Sequence, residues 1–389
     1  MRKSHSKGTI VLAASVAQKP YQGGHTWVFL QYLLGFKRLG WDVLFLDRLE
    51  PGMYVDDRGA PCALEQAVNI RYFQDVMEKF CLGDAFALAC EGRFIGLSRE
   101  ETRARVAGAA TLINVMGFFT DQEILAQARQ RVFFDIDPGF GQMWQALGWR
   151  DLYRGYDRYL TVGENIGQPG CTVPTCGLPW MTTRQPIVLE QWHRADPAPA
   201  GRFTSIGAWR GPYAPIEFGG TTYGLRAHEF RKFASLPRSG DERFEVALDI
   251  HSAETRDLAL LAGNGWHLAD PRMVARDPAA YREYIRGSKA EFMVAKNMYV
   301  QSKSGWFSDR SICYLASGKP VLAQDTGLSA LYPLGKGLVA FATLEDAAAG
   351  VAEIGGNYAA HCRTAREIAE EYFDSDRVLS RVVTMLGIG

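Results

Sequence analysis

A chain of 389 residues, 47% hydrophobic and 22% charged, has the make-up of an ordinary globular protein long enough for two cores. Lys+Arg and Asp+Glu balance at 43 each, so there is no global basic field for nucleic acid or an anionic membrane, and any anion must be held by a local site. Seven cysteines, whose only regular spacing is Cys171-x4-Cys176, point to reduced thiols in the cytoplasm rather than a disulfide framework, and no second Cys/His pair completes a zinc site.

The opening MRKSHSKGTIVLAASVA mimics a signal peptide, but its apolar run from Thr9 to Ala17 is short and leads into a loop, so it reads as a first strand. No stretch reaches the roughly 18 to 20 apolar residues of a spanning helix, and a soluble protein without stable membrane insertion is expected. Gly8 to Val16 is that strand, Ala17 to Gly24 a loop, Thr26 to Leu39 a helix, and Trp41 to Leu46 a second strand closing on Asp47. Together they make a right-handed βαβ unit. Asp47, about twenty residues after Gly23-Gly24, raises dinucleotide binding, although the glycines do not form G-x-G-x-x-G. Glu50 to Gly108 reads as helix and loop with poor punctuation and no assignable role. Thr111 to Phe119 is a strand, Thr120-Asp121 caps a helix from Gln122 to Arg131, and Arg131 to Ile136 and Tyr159 to Val162 are further strands.

Pro186 to Gly201, with its RADPAPAG run, is the best linker, and a second alternation follows it. Its strands are Phe203 to Gly207, Phe244 to Ile250, Glu291 to Ala295, Pro320 to Ala323 and Leu338 to Phe341, with helices between and three more closing the chain. The expected division is an N-terminal domain over 1–185, a linker over 186–201, a C-terminal domain over 202–372 and a last helical segment over 373–389. Two doubly wound α/β domains face each other across a cleft at the carboxyl ends of their strands, where such folds bind ligands.

The most informative stretch is KSGWFSDRSICYLASGKPVLAQDTGL, from Lys303 to Leu328. Its small and polar opening caps a helix, Gly318 and Pro320 end that helix, and Val321-Leu322-Ala323 is a buried strand. The free first-turn N–H groups of such a helix, with its dipole, make an anion site suited to a diphosphate.

The run Ala316-Ser317-Gly318-Lys319-Pro320-Val321 after a small-residue turn resembles the donor-binding segment of GT-B-fold glycosyltransferases, the group 1 type in particular. The resemblance implies two Rossmann-like domains and a last helix that crosses back onto the first. It also implies a nucleoside-diphosphate sugar, of UDP or TDP type, as co-substrate, with no other cofactor and no metal. Many retaining members carry two glutamates here, and at those places, eight positions apart, this chain has Gly305 and Cys313.

GGHTWVFLQYLLGFKRLGWDVLFL is similar to the first loop and helix of GT-B enzymes, where inverting families place a histidine base and many retaining ones lay the Gly-Gly pair against the donor phosphates. His25 is therefore the candidate base, its neutral imidazole suiting proton abstraction near pH 7; the bland alternative is a helix cap. Asp121 is the candidate carboxylate orienting it, or a plain N-cap. Gly23, Gly24, Arg210, Lys296, Tyr299, Gly305, Ser308, Asp309, Arg310, Ser311 and Asp325 are the candidate donor-binding residues, Arg210 because a guanidinium fork matches phosphate oxygens. Asp135, Asp137 and Glu164 end strands and face the acceptor or lie in loops; the Asp135-Ile136-Asp137 spacing is read as coincidence, not a metal site. The expectation is transfer of a sugar to a small-molecule or glycan acceptor, leaning to inversion, with nucleic acid excluded as partner and oligomeric state open. The alternatives are a GT-B epimerase or phosphorylase, a nucleotide-binding protein without chemistry, and a nicotinamide dehydrogenase using Asp47.

Overall fold

The computed structural model describes residues 6–389. The first sheet is built from β1 (Thr9–Ala13), β2 (Asp42–Leu49), β3 (Phe86–Cys90), β4 (Arg93–Gly96), β5 (Thr111–Val115), β6 (Arg131–Asp135), β7 (Arg158–Thr161) and β8 (Trp180–Thr182). Their order is β4-β3-β2-β1-β5-β6-β7-β8, and every pair is parallel except β3 with β4. Burial on both faces is why TIVLA, FALAC and TLINV are nearly unbroken apolar runs.

β9 (Phe203–Ala208) opens the second sheet and is followed by a hairpin of β10 (Ile216–Phe218) and β11 (Thr221–Tyr223). Then come β12 (Phe244–Asp249), β13 (His267–Leu268), β14 (Ala290–Met293), β15 (Val321–Gln324) and β16 (Leu338–Phe341), giving an all-parallel sheet in the order β13-β12-β9-β14-β15-β16. Two Rossmann-like sheet-and-helix units form, as the alternation of segments predicts.

Some elements differ from expectation. The helix expected from Gln122 to Arg131 spans only Gln122–Leu125, because β6 already begins at Arg131, paired with Leu112. The unassigned region from Glu50 to Gly108 holds the helices Asn69–Lys79 and Arg99–Gly108 as well as β3 and β4; Ser98 and Glu101 form a capping box at the second helix. The helix of the central stretch is Asp309–Ala316, capped by Ser308, whose hydroxyl accepts from Arg310 N at 3.2 Å. It ends as its glycine requires: Gly318 has φ +71, its N–H reaches Leu315 O at 2.9 Å and that of Lys319 reaches Tyr314 O at 2.9 Å.

The helix Gly23–Arg38 is buried almost all round, which its even spread of apolar residues demands. One side packs on the first sheet, with Phe29 and Phe45 ring centroids 6.4 Å apart. Another receives the helix Ser375–Leu386, where Gly35 leaves room and Arg38 binds Asp376 at 3.0 Å. The chain passes between the two sheets twice, side by side: Ile187 N donates to Phe373 O at 2.8 Å and Ser375 N to Ile187 O at 2.9 Å. Among the described residues no helix is long and apolar enough to cross a membrane.

Candidate functional site

Strand order reverses in the first sheet around β1 and β5 and in the second around β9 and β14. Loops diverge at such points and leave a crevice at the carboxyl ends of the strands. On the first side, His25 follows the loop after β1. Its Nε2 lies 2.5 Å from Ser15 O, so Nε2 carries the proton and Nδ1 keeps the lone pair. Burial, with Lys19 adding to it and the Ser15 bond opposing it, lowers the imidazole pKa to about 4, and the ring is neutral at pH 7. Asp47 anchors that loop: its Oδ2 accepts from Val16 N at 2.6 Å and Ala17 N at 2.7 Å, and burial lifts its pKa to about 7 against those bonds. A fully buried carboxylate so engaged is not free for a ribose.

Asp121 does not orient His25. Its carboxylate accepts from Ile124 N at 3.2 Å as an N-cap and pairs with Arg99 at 2.6 Å, because the loop after β5 turns toward the helix Arg99–Gly108. Nor do Gly23 and Gly24 face open space. Gly23 N donates to Ala275 O at 2.6 Å, a Cβ on Gly23 would fall on the Asp277 carbonyl, and one on Gly24 would stand 2.7 Å from the Tyr281 ring. The glycines exist so that the helix Pro278–Gly287 can approach, with Trp27 Nε1 donating to Pro278 O at 2.8 Å. Gly23→Ala is accordingly expected to cost about 1–3 kcal/mol of stability through overpacking, read as a lowered urea midpoint.

The two carboxylates of Asp135-Ile136-Asp137 go to different partners. Asp135 is buried and accepts from Gln142 at 2.6 Å and Thr161 at 2.9 Å; burial raises its pKa to about 6. Asp137 instead reaches the second unit, accepting from Lys296 Nζ at 2.5 Å and from the Tyr299 hydroxyl. Glu164 likewise crosses over to Tyr332 and binds Arg184 at 3.0 Å. Among the described residues no group of three or more His, Cys, Asp or Glu stands together for a metal.

On the second side the arginines sort differently from expectation. Arg210 is exposed and held in an ion pair by Glu254, since the loop after β9 swings outward. Arg226, overlooked in the sequence, is buried beside Gly207, whose φ of +148 and lack of a side chain admit two guanidiniums. A Cβ there would meet Arg226 Nη1 and lie 3.4 Å from Arg310 Nη1. Arg226 donates to Ala208 O at 3.1 Å, and Arg310 donates to Ile206 O at 2.8 Å and to Glu291 Oε1 at 2.5 Å. Arg226 Nε, Arg310 Nη2 and the Ser311 hydroxyl are buried with no partner. Burial and the neighbouring Arg310 lower the Arg226 pKa to about 10; burial also works against Arg310, but Glu291 outweighs it and holds that guanidinium above its ordinary value.

Asp309 is half-buried where the two units meet. It lines a cavity of about 10 Å³, room for one water, with Trp27, Gln31 and Cys313, and burial raises its pKa. Ser308 is spent as the helix cap. Gly305 is covered by Asn165, whose Nδ2 donates to Lys303 O and Gly327 O at 3.1 Å each. Asp325 closes its own turn, accepting from Gly327 N at 2.9 Å, and pairs with Lys303 at 2.9 Å. Lys296 and Tyr299 do stand at the crevice, with Tyr299 stacked on Trp306 at 4.2 Å. Glu291, fully buried in β14, was also overlooked; a carboxylate inside an apolar strand was the signal that a buried cation must meet it.

Solved structures resemble the whole chain. A glycosyltransferase from Rickettsia africae ESF-5 is 10% identical, with a TM-score of 0.55 over 99% of each chain. Anabaena Alr3699/HepE in complex with UDP-glucose is 12% identical, with a TM-score of 0.59 over 98% of this chain and 99% of that one. An alpha-glucosyltransferase in complex with UDP is 10% identical, with a TM-score of 0.58 over 98% of this chain and all of that one; an alpha-glucosyltransferase was also solved with UDP and a 13-mer DNA, so the fold by itself does not exclude nucleic acid as partner. No protein-family model and no curated protein matches the sequence. The chain has the GT-B fold of glycosyltransferases.

Proposed function

We propose that the protein is a glycosyltransferase that moves a sugar from a nucleoside-diphosphate sugar to an acceptor hydroxyl. The observation that carries this reading is the pair of buried guanidiniums at Gly207: Arg310 pairs with Glu291 Oε1, Arg226 bonds to no carboxylate, and Arg226 Nε and Arg310 Nη2 have no partner, nor has Glu291 Oε2. An excess of buried positive charge with unmet donors calls for an anion. A diphosphate fits that need, and the UDP of the structural neighbours makes uridine the first base to test, with TDP next. The arginines supply the charge on which a metal-dependent enzyme relies, so transfer is expected to survive chelation.

In the reaction, the acceptor O–H proton passes to His25 Nδ1 while the acceptor oxygen bonds to the anomeric carbon. The bond from that carbon to the phosphate oxygen breaks, and its electron pair leaves on the diphosphate beside Arg226 and Arg310. Attack opposite the leaving group inverts the centre. The acceptor is a small molecule or glycan held over the first unit, the division at 186–201 separates the two, and the seven free thiols suit the reducing cytoplasm.

The test is a calorimetric titration of UDP, TDP, GDP, ADP and NAD, followed by UDP-sugar hydrolysis and transfer assays on the wild type and His25→Ala. Binding of one nucleoside diphosphate is expected, with transfer lost about 100-fold or more in His25→Ala and UDP affinity kept. Because the His25 pKa is lowered to about 4, kcat/KM is expected to stay level between about pH 5.5 and 8 instead of falling near 6.5. NAD binding alone would restore the dehydrogenase reading; UDP binding without turnover would leave a binding protein.

A further inference from the structure

We propose that the segment from Gly211 to Tyr223 is a strap that, with a clasp on Asp137, holds the crevice shut and controls access of the nucleoside diphosphate; this rests on the donor reading above. Tyr213 is half-buried, while Arg210, Gly211, Pro212, Ala214 and Pro215 around it are exposed. What buries it belongs to the other unit. Its ring lies 5.0 Å from Phe140 and 4.9 Å edge-on from Trp144, both on the helix Phe140–Ala146. At the far end of the strap, the Tyr223 hydroxyl meets Thr172 Oγ1 at 2.9 Å. The strap is thus pinned to the first unit at both ends.

The clasp lies against the same aromatic group. Lys296 Nζ is 2.5 Å from Asp137 Oδ2, and it stands 5.5 Å from the Phe140 ring and 5.7 Å from that of Tyr213. Tyr299 gives its hydroxyl to the other Asp137 oxygen. One ammonium and one hydroxyl on the donor side are therefore engaged by a carboxylate of the acceptor side. A phosphate competes with Asp137 for Lys296, since both offer anionic oxygens to the same short-range donor. Segments with few buried contacts and exposed backbone open first; Ile216 and Tyr223 of the strap's hairpin are buried, so the part that swings is the exposed arm around Tyr213, from the corner that Gly211 at φ +82 sets with Pro212. Once Tyr213 leaves the Phe140 and Trp144 rings, Lys296 loses one of the π faces that hold it, so the strap and the clasp release together.

The experiment measures UDP association by stopped-flow tryptophan fluorescence, and amide exchange over residues 211–223, in the wild type, Tyr213→Ala, Tyr213→Phe and Asp137→Asn. Tyr213→Ala and Asp137→Asn are expected to raise the association rate about 10-fold, as removal of a closed population of roughly 90% implies, and to lose protection over the strap. Tyr213→Phe keeps the ring and should match the wild type, which separates the strap from misfolding; circular dichroism checks each variant. Equal rates and equal protection in all four proteins would overturn the proposal. Should no nucleoside diphosphate bind the wild type, the donor reading falls, and exchange alone decides the strap: protection that both variants lose supports it, and protection they keep refutes it.

Discussion

Arg226→Ala is expected to weaken UDP binding about 100-fold, the roughly 2.7 kcal/mol of a buried charge-assisted contact, while the fold keeps its stability or gains slightly. The direction of both effects follows from one fact. Arg226 is buried with no carboxylate of its own, its Nε has no partner, and burial has already lowered its pKa to about 10. Deleting an unpaired buried charge relieves a desolvation cost in the protein alone, yet removes a main counter-charge for the ligand. Arg210→Ala serves as the control. That exposed side chain is satisfied by Glu254, and its loss should change UDP affinity less than about twofold. Calorimetry on the three proteins decides the matter: wild-type affinity in Arg226→Ala would remove the diphosphate from Gly207.

Arg310→Ala is expected to destabilise the protein by about 3–5 kcal/mol, because it strands the fully buried Glu291 carboxylate without its cation. The double replacement Arg310→Met with Glu291→Leu removes both charges and restores apolar packing, so it should recover most of that loss. Urea denaturation of the two variants measures the difference. Loss of less than about 1 kcal/mol in Arg310→Ala would mean that the pair is not structural, and Arg310 would then return to a role toward the donor alone.

The crevice shows how a sequence misleads about which polar residue does what. Ser-Asp-Arg-Ser at 308–311 reads as a donor-facing helix start, but Ser308 caps its own helix, Asp309 turns to a one-water cavity and Arg310 reaches down to Glu291. Ser308 bonds only two residues on and the Ser311 hydroxyl finds no partner, while the partners of Arg310 lie far away in sequence, 19 positions for Glu291 and 104 for Ile206. Gly23-Gly24 reads as a phosphate loop because close backbone approach is what glycines allow; the backbone that approaches is Asp277 and the ring is Tyr281. Arg226, within Leu225-Arg226-Ala227, carries no local mark of burial, since nothing in a short helix start tells that β9 will bring Gly207 against it.

What the sequence by itself determined is the repeated alternation of apolar strand and helix, the breaks at Gly40 and Gly318 with Pro320, and hence two doubly wound sheets with their strand ends facing a crevice. These follow from periodicity, capping and backbone stereochemistry, which act over a few residues and can be read locally. Only the tertiary structure decided which charges are buried, which are paired and which are left over, because burial and pairing depend on residues brought together from both units. The clearest case is Asp137: a loop carboxylate in the sequence, and in the fold the group that Lys296 and Tyr299 grasp from the other side.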